Sequence, residues 1–186
     1  GCAGWIPSPH FEADTLHTTH GRPIAFATGV KLYNPKLKVV VISGDGDLAS
    51  IGGNHLIHAA RRDVGITVIC ANNEIYGMTG GQASPTTPEE NKERPFDLCR
   101  LVEAAGGTYV ARYSVAQVPA LIKSIRRALN HPGFSFLEVL SPCYTHFGRM
   151  NQFKSASAMV LSLKDRCVSI AKAGRMKKEE LQGKIV

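Results

Sequence analysis

Asp45 stands between two glycines, Gly44 and Gly46, with Asp47 directly after, and Asn72-Asn73 follows beyond the 25 residues 47–71. A carboxylate flanked by glycines can face a cation while the bare backbone approaches an anion. An amide oxygen and exposed main-chain groups on a neighbouring loop complete a donor set for magnesium bridging to a diphosphate. Neither half is specific alone. The glycine-flanked Asp also suits an ordinary turn in which it caps the next helix, and paired Asn is common in turns. Together, at this spacing and each ending an apolar run, they favour a metal–diphosphate site. Gly44 to Asp47 has no third glycine at the dinucleotide spacing, and the sequence holds no GxxxxGK[ST] loop.

The elements that must deliver these groups are legible around them. Residues 38–43 and 65–71 are short β-branched runs, which predict strands buried on both faces. Parallel neighbours would bring Gly44–Asp47 and Asn72-Asn73 to one sheet edge. A helix is predicted over 23–33, closed by Asn34-Pro35, and another over 54–62. Residues 77–94 carry Gly80-Gly81 and several prolines, and read as a long loop that is functional or disordered. A helix over 97–105, a strand over 108–111, a helix over 115–130 and a strand over 134–140 follow, with one terminal helix over 156–173. Alternating strands and helices predict an α/β fold, a parallel sheet with helices on both faces.

The sequence has 186 residues, about one domain, with 44% hydrophobic and 20% charged residues. The expected organisation is one domain over 1–186, with 151–186 as a helical, basic extension of it. The net charge of +7 reflects 22 basic against 15 acidic residues. The basic residues are scattered or gathered near the C-terminus without interleaved aromatics, so nucleic acid is not an expected partner. No apolar run reaches the roughly 20 residues of a membrane span. Five cysteines, without a CxxC pair, suit a reducing compartment such as the cytoplasm. The chain opens Gly1-Cys2-Ala3-Gly4-Trp5, without an initiator Met, and reads as the middle of something longer.

With Gly44–Asp47, Asn72 to Gln82, His17-Thr18-Thr19-His20-Gly21-Arg22 and Ser141-Pro142-Cys143 in view, the chain resembles the β subunits of 2-oxoacid:ferredoxin oxidoreductases. Gly53-Asn54-His55 and Tyr144 to Arg149 point to the 2-oxoglutarate branch. The resemblance implies a thiamine-diphosphate-binding domain. Asp45, the Asn73 side chain and the Ile75 carbonyl would hold magnesium. Gly44, Gly46 and Asp47 would serve the diphosphate, with Gly77 and Met78 lining the same cofactor and Met78 behind its thiazolium. His20 would face the cofactor and substrate as a catalytic residue. Cys2 and Cys143 match two of the four ligands of a 4Fe–4S cluster. Cys70, Cys99 and Cys167 read as buried apolar residues.

The activity implied is oxidative decarboxylation of a 2-oxoacid to acyl-coenzyme A and carbon dioxide, with electrons leaving through the cluster to ferredoxin. No glutamate here has an assignable context for activating the cofactor. The resemblance places that group on a partner subunit; the implied partners are an α subunit and, as further candidates, γ and δ subunits. Two alternatives from the residues themselves are a cluster-free thiamine-diphosphate decarboxylase or acetolactate-type enzyme, and a non-catalytic phosphate-binding α/β module.

Overall fold

Apolar runs too short for helices form the strands: β1 (Val40–Gly44), β2 (Thr67–Asn72), β3 (Tyr109–Ser114) and β4 (Ser135–Leu140). In the computed structural model, which describes residues 1–88 and 93–186, they make one parallel sheet in the order β1-β2-β4-β3. Ile42 pairs with Ile69, Ile69 with Leu137, and Leu137 with Ala111. All six residues of β4 are buried, as a central strand covered on both faces requires.

Helices α2 (Pro23–Tyr33), α3 (Gly53–Arg61) and α4 (Leu98–Ala104) pack in series. Their Ile24, Ala27, Leu56, Ala59, Ala60, Leu98 and Val102 form one core with Val41, Val68, Cys70 and Phe136 of the sheet. The helical spacing of Leu56, Ala59 and Ala60 puts one stripe of α3 on that core. Helix α5 (Val118–Asn130) joins β3 back to β4, against the direction of the earlier crossovers, so a right-handed connection places it on the opposite face. There the Ala128 carbonyl accepts hydrogen bonds from Thr67 Oγ1 and Ser135 Oγ.

The structure departs from the sequence reading at several joints. The terminal helix is two, α6 (Ala156–Arg166) and α7 (Ile170–Ala173): Cys167 is extended and bridges Ile185, and the Ser169 side chain caps α7. Strand β3 runs on to Ser114, because pairing with β4 continues to Leu140. A 3₁₀ turn, Cys2–Trp5, packs on β1 and leads into α1 (Pro7–His10). Two π turns, Asp47–Ile51 and Tyr144–Gly148, follow the glycine-flanked Asp and Cys143. Each closes a bond to the residue five back, Gly52 N–H to the Asp47 carbonyl and Gly148 N–H to the Cys143 carbonyl. A Cβ at Gly52 would strike the Asp47 carbonyl, so this turn needs glycine there. Of the long loop, residues 89–92 lie outside the described residues.

Candidate cofactor and metal site

Strand β1 ends at Gly44 and the chain turns at once into helix, setting Asp45 beneath the carboxyl end of the sheet. Its side chain is 1% exposed. Oδ2 accepts hydrogen bonds from Ser84 Oγ at 2.5 Å and Thr86 Oγ1 at 2.6 Å, whereas Oδ1 accepts a long one from the Asn73 N–H at 3.3 Å. Burial holds the Asp45 carboxyl above the ordinary carboxylate range, although the Ser84 and Thr86 hydroxyls pull the other way. Among the described residues its partners are all neutral donors. A buried carboxylate in such company favours a cation beside it, and Oδ1 has the lone pairs for one.

The second half of the site is the turn leaving β2. Asn72 Oδ1 accepts the Glu74 N–H at 2.9 Å and Asn73 Oδ1 accepts the Ile75 N–H at 3.2 Å. Glu74 sits at φ 60, left-handed for a residue with a side chain. Asp45 and Asn73 thus form one knot with hard oxygen atoms on both side chains, which fits magnesium chemistry. No group of three His, Cys, Asp or Glu that could hold an ion occurs among the described residues. A cation here would therefore use amide and main-chain oxygens beside Asp45.

The Asp47 side chain turns to the entry loop. Its Oδ1 accepts the Gly21 N–H at 2.5 Å and meets His20 Nδ1 at 2.5 Å, and Oδ2 accepts from the Ser43 hydroxyl. The carboxylate is committed to the entry loop and anchors His20, whose own side chain is half exposed. Gly46 lies under the Tyr76 ring, with which any Cβ would collide.

The chain next makes a tight turn, in which Tyr76 pairs with Gln82 and Gly80 and Gly81 take positive φ. Gly77 stands on it and Met78 is exposed. A Cβ added at Gly77 would lie 3.5 Å from Cys143 Sγ, 3.6 Å from Cys2 Sγ and 3.7 Å from Asn73 Nδ2. Residues distant in sequence thus meet at one point: both implied cluster cysteines and Asn73 of the turn after β2. The other three cysteines are elsewhere. Cys70 is a buried residue of β2, and Cys167 lies after α6. Cys99 packs partly buried against the core, and its S–H also lies 3.3 Å from Glu138 Oε2; burial, with that carboxylate, pushes the thiol well up.

Sequence reasoning missed the groups that hold this site together. Ser84 and Thr86 looked like loop residues, because only the fold returns the loop to Asp45. Glu138 had a readable signal, a lone charge in the apolar run 134–140, which must find a partner when buried. Its partner is Arg112, whose Nε donates to Glu138 Oε2 at 2.6 Å.

Comparison with known proteins places the chain in a family. Residues 3–139 match the family described as thiamine pyrophosphate enzyme, C-terminal TPP binding domain. The chain is 52% identical over its whole length to 2-oxoglutarate synthase subunit KorB of Methanothermobacter marburgensis, and 50% identical to that of Methanocaldococcus jannaschii. It spans 68% and 72% of those proteins. It is 43% identical, over 78% of its length and 48% of the relative's, to the β subunit of 2-oxoacid:ferredoxin oxidoreductase 1 of Aeropyrum pernix. A solved 2-oxoglutarate:ferredoxin oxidoreductase from Magnetococcus marinus, with 2-oxoglutarate, coenzyme A and succinyl-CoA bound, superposes with a TM-score of 0.79 at 34% identity. That match covers 90% of this chain and 58% of the other. A matched family over most of the sequence and half-identical relatives over all of it settle the kinship: the chain belongs to the thiamine-pyrophosphate-binding β subunits of the 2-oxoacid:ferredoxin oxidoreductases, on the 2-oxoglutarate synthase branch.

Proposed function

We propose that the chain binds thiamine diphosphate and magnesium within a 2-oxoglutarate:ferredoxin oxidoreductase, which converts the 2-oxoacid and coenzyme A to acyl-coenzyme A and carbon dioxide. The observation that carries this reading is the knot at the carboxyl edge of β1 and β2, where buried Asp45 meets Asn73 beside Gly77. Asp45, Asn73 and the Ile75 carbonyl hold the cation. The helical turn opening at Asp45 offers main-chain N–H groups to the diphosphate, a favourable end for anions. With the Asp47 carboxylate bound to His20, Gly21 and Ser43, any contact of Asp47 with the diphosphate runs through its backbone. Thiamine diphosphate, when bound, supplies the carbon nucleophile and electron sink for decarboxylation.

His20 is held by Asp47 through Nδ1, which leaves Nε2 to face substrate or cofactor. Met78 and Gly77 line the thiazolium side. Cys2 and Cys143 converge at Gly77 and supply two thiolates to a 4Fe–4S cluster, which takes four. The remaining thiolates come from outside these residues, as does the glutamate that activates the cofactor. The active site is therefore shared with an α subunit, and ferredoxin carries the electrons away. The cytoplasm, as a reducing compartment, is the expected setting. No helix among the described residues is long and apolar enough to cross a membrane.

The test is an assay of the assembled enzyme under anaerobic conditions. Reduction of ferredoxin should require 2-oxoglutarate, coenzyme A, thiamine diphosphate and magnesium together. Equal rates with magnesium and thiamine diphosphate withheld from a stripped enzyme would reject the reading.

A further inference from the structure

Glu138 is the single charged residue of β4 and is 2% exposed in the middle of the sheet. Burying a carboxylate is costly unless it is paired and hydrogen-bonded, and Arg112 on the neighbouring strand answers the charge. Arg112 is itself tied to Asp97 Oδ1 at 2.5 Å. If charge pairing were the whole purpose, an apolar pair of the same volume would serve the sheet as well. The other carboxylate oxygen shows more: Glu138 Oε1 accepts the Asn72 Nδ2–H at 2.7 Å.

That bond fixes Asn72 in one orientation. A carboxylate only accepts and a backbone N–H only donates, so just one setting of the amide satisfies both Glu138 and the Glu74 N–H. Asn72 Oδ1, so aimed, also lies 3.2 Å from Thr86 Oγ1, whose hydroxyl contacts Asp45. The Glu74 N–H it holds belongs to the left-handed residue between Asn73 and Ile75. Such a conformation is costly for a residue with a side chain and persists only where its surroundings enforce it. The chain of contacts runs Arg112–Glu138–Asn72, then divides to the Glu74 turn and to Thr86–Asp45.

We propose that Glu138 is a positioning residue of the cation site, which through Asn72 sets the turn that presents Asn73 and the Ile75 carbonyl beside Asp45. This rests on the reading of Asp45, Asn73 and Ile75 as cation ligands. Its role is geometric, so it should discriminate between cations. Magnesium demands near-ideal octahedral geometry at short distance, whereas calcium accepts flexible coordination. A loosened turn should therefore penalise magnesium more than calcium.

The experiment measures thiamine diphosphate binding calorimetrically to the assembled enzyme, with magnesium and then calcium, in wild type, Glu138→Gln, Asp97→Asn and Asp45→Ala. Glu138→Gln should weaken magnesium-supported binding roughly tenfold, the low end of losses seen when outer partners of metal ligands are removed. Calcium-supported binding should fall by a smaller factor. Asp97→Asn, at the outer end of the ion pair and the N-cap of α4, reaches neither Asn72 nor the Glu74 turn and should leave the magnesium-to-calcium ratio unchanged. Should Glu138→Gln fail to fold, Asn72→Ala keeps the Glu138–Arg112 pair and carries the same test. An unchanged ratio in Glu138→Gln or Asn72→Ala, with binding abolished in Asp45→Ala, would overturn the positioning role alone. Full binding in Asp45→Ala would overturn the ligand assignment beneath it.

Discussion

The two aspartates of the glycine-flanked motif, Asp45 and Asp47, are two residues apart and do different work. Asp45 faces neutral donors and keeps one oxygen lightly occupied, whereas both oxygens of Asp47 are committed to the loop 20–21 and Ser43. From spacing alone both look like cofactor ligands. Only the fold, which lays the entry loop across the first turn after β1, separates them. Asp47→Ala should release that loop, since hydrogen bonds to a charged acceptor contribute about 1.5–3 kcal/mol. Amide hydrogen exchange should show the Gly21 N–H losing protection, with a lower unfolding midpoint. Unchanged exchange at Gly21 would contradict the anchoring role.

At the scale of elements, the connection between α3 and β4 shows how a loop carboxylate fastens the sheet. Asp63, at φ 48 just after α3, accepts the Phe134 N–H at the start of β4 and the Thr108 hydroxyl at the start of β3, both at 2.7 Å. The Phe134 N–H, then the Thr108 hydroxyl, hold its carboxyl below the ordinary range. A carboxyl whose folded pKa lies below its unfolded value adds stability that is present above roughly pH 4 and is lost as pH falls through the folded value. Asp63→Asn keeps the left-handed backbone comfortable but removes the charge. The variant should be less stable at neutral pH, and the difference from wild type should narrow as urea unfolding midpoints are followed down to about pH 3. A gap that widens on acidification would contradict this assignment.

These same elements mark how far the sequence could be read. β1, β2, β4 and α2 to α5 were legible from their apolar periods and turn residues, whereas the end of β3 was not, because Arg112 breaks its apolar run. The split of the terminal helix was not, because it depends on Cys167 pairing with Ile185 far along the chain. The π turns were invisible for a related reason, since a five-residue hydrogen bond leaves no period of its own. At the site, Asp45 and Asn73 could be named from motif spacing and Gly77 from the family resemblance, while Ser84, Thr86 and Glu138 needed the tertiary return of the loop and the strand order β1-β2-β4-β3.

At the scale of the molecule, one sheet edge gathers a hard-oxygen knot and two soft thiols, joined at Gly77. Thiolates select iron–sulfur chemistry and oxygens select magnesium, so the edge suits two different inorganic partners side by side. If Cys143 holds a cluster, Cys143→Ser in the anaerobically purified assembled enzyme should remove about four irons per β subunit, the content of one cluster. Thiamine diphosphate binding should survive. Retention of all iron would reject the cluster assignment and leave the oxygen site standing.

The central claim, that this chain supplies the cation bridge to thiamine diphosphate through Asp45, meets its most direct test in one calorimetric titration of the cofactor into stripped enzyme. Wild type should bind with magnesium and fail with chelator, and Asp45→Ala should fail in both, having lost the only carboxylate of the donor set. Binding by Asp45→Ala as tight as wild type, or wild-type binding indifferent to chelator, would contradict the account.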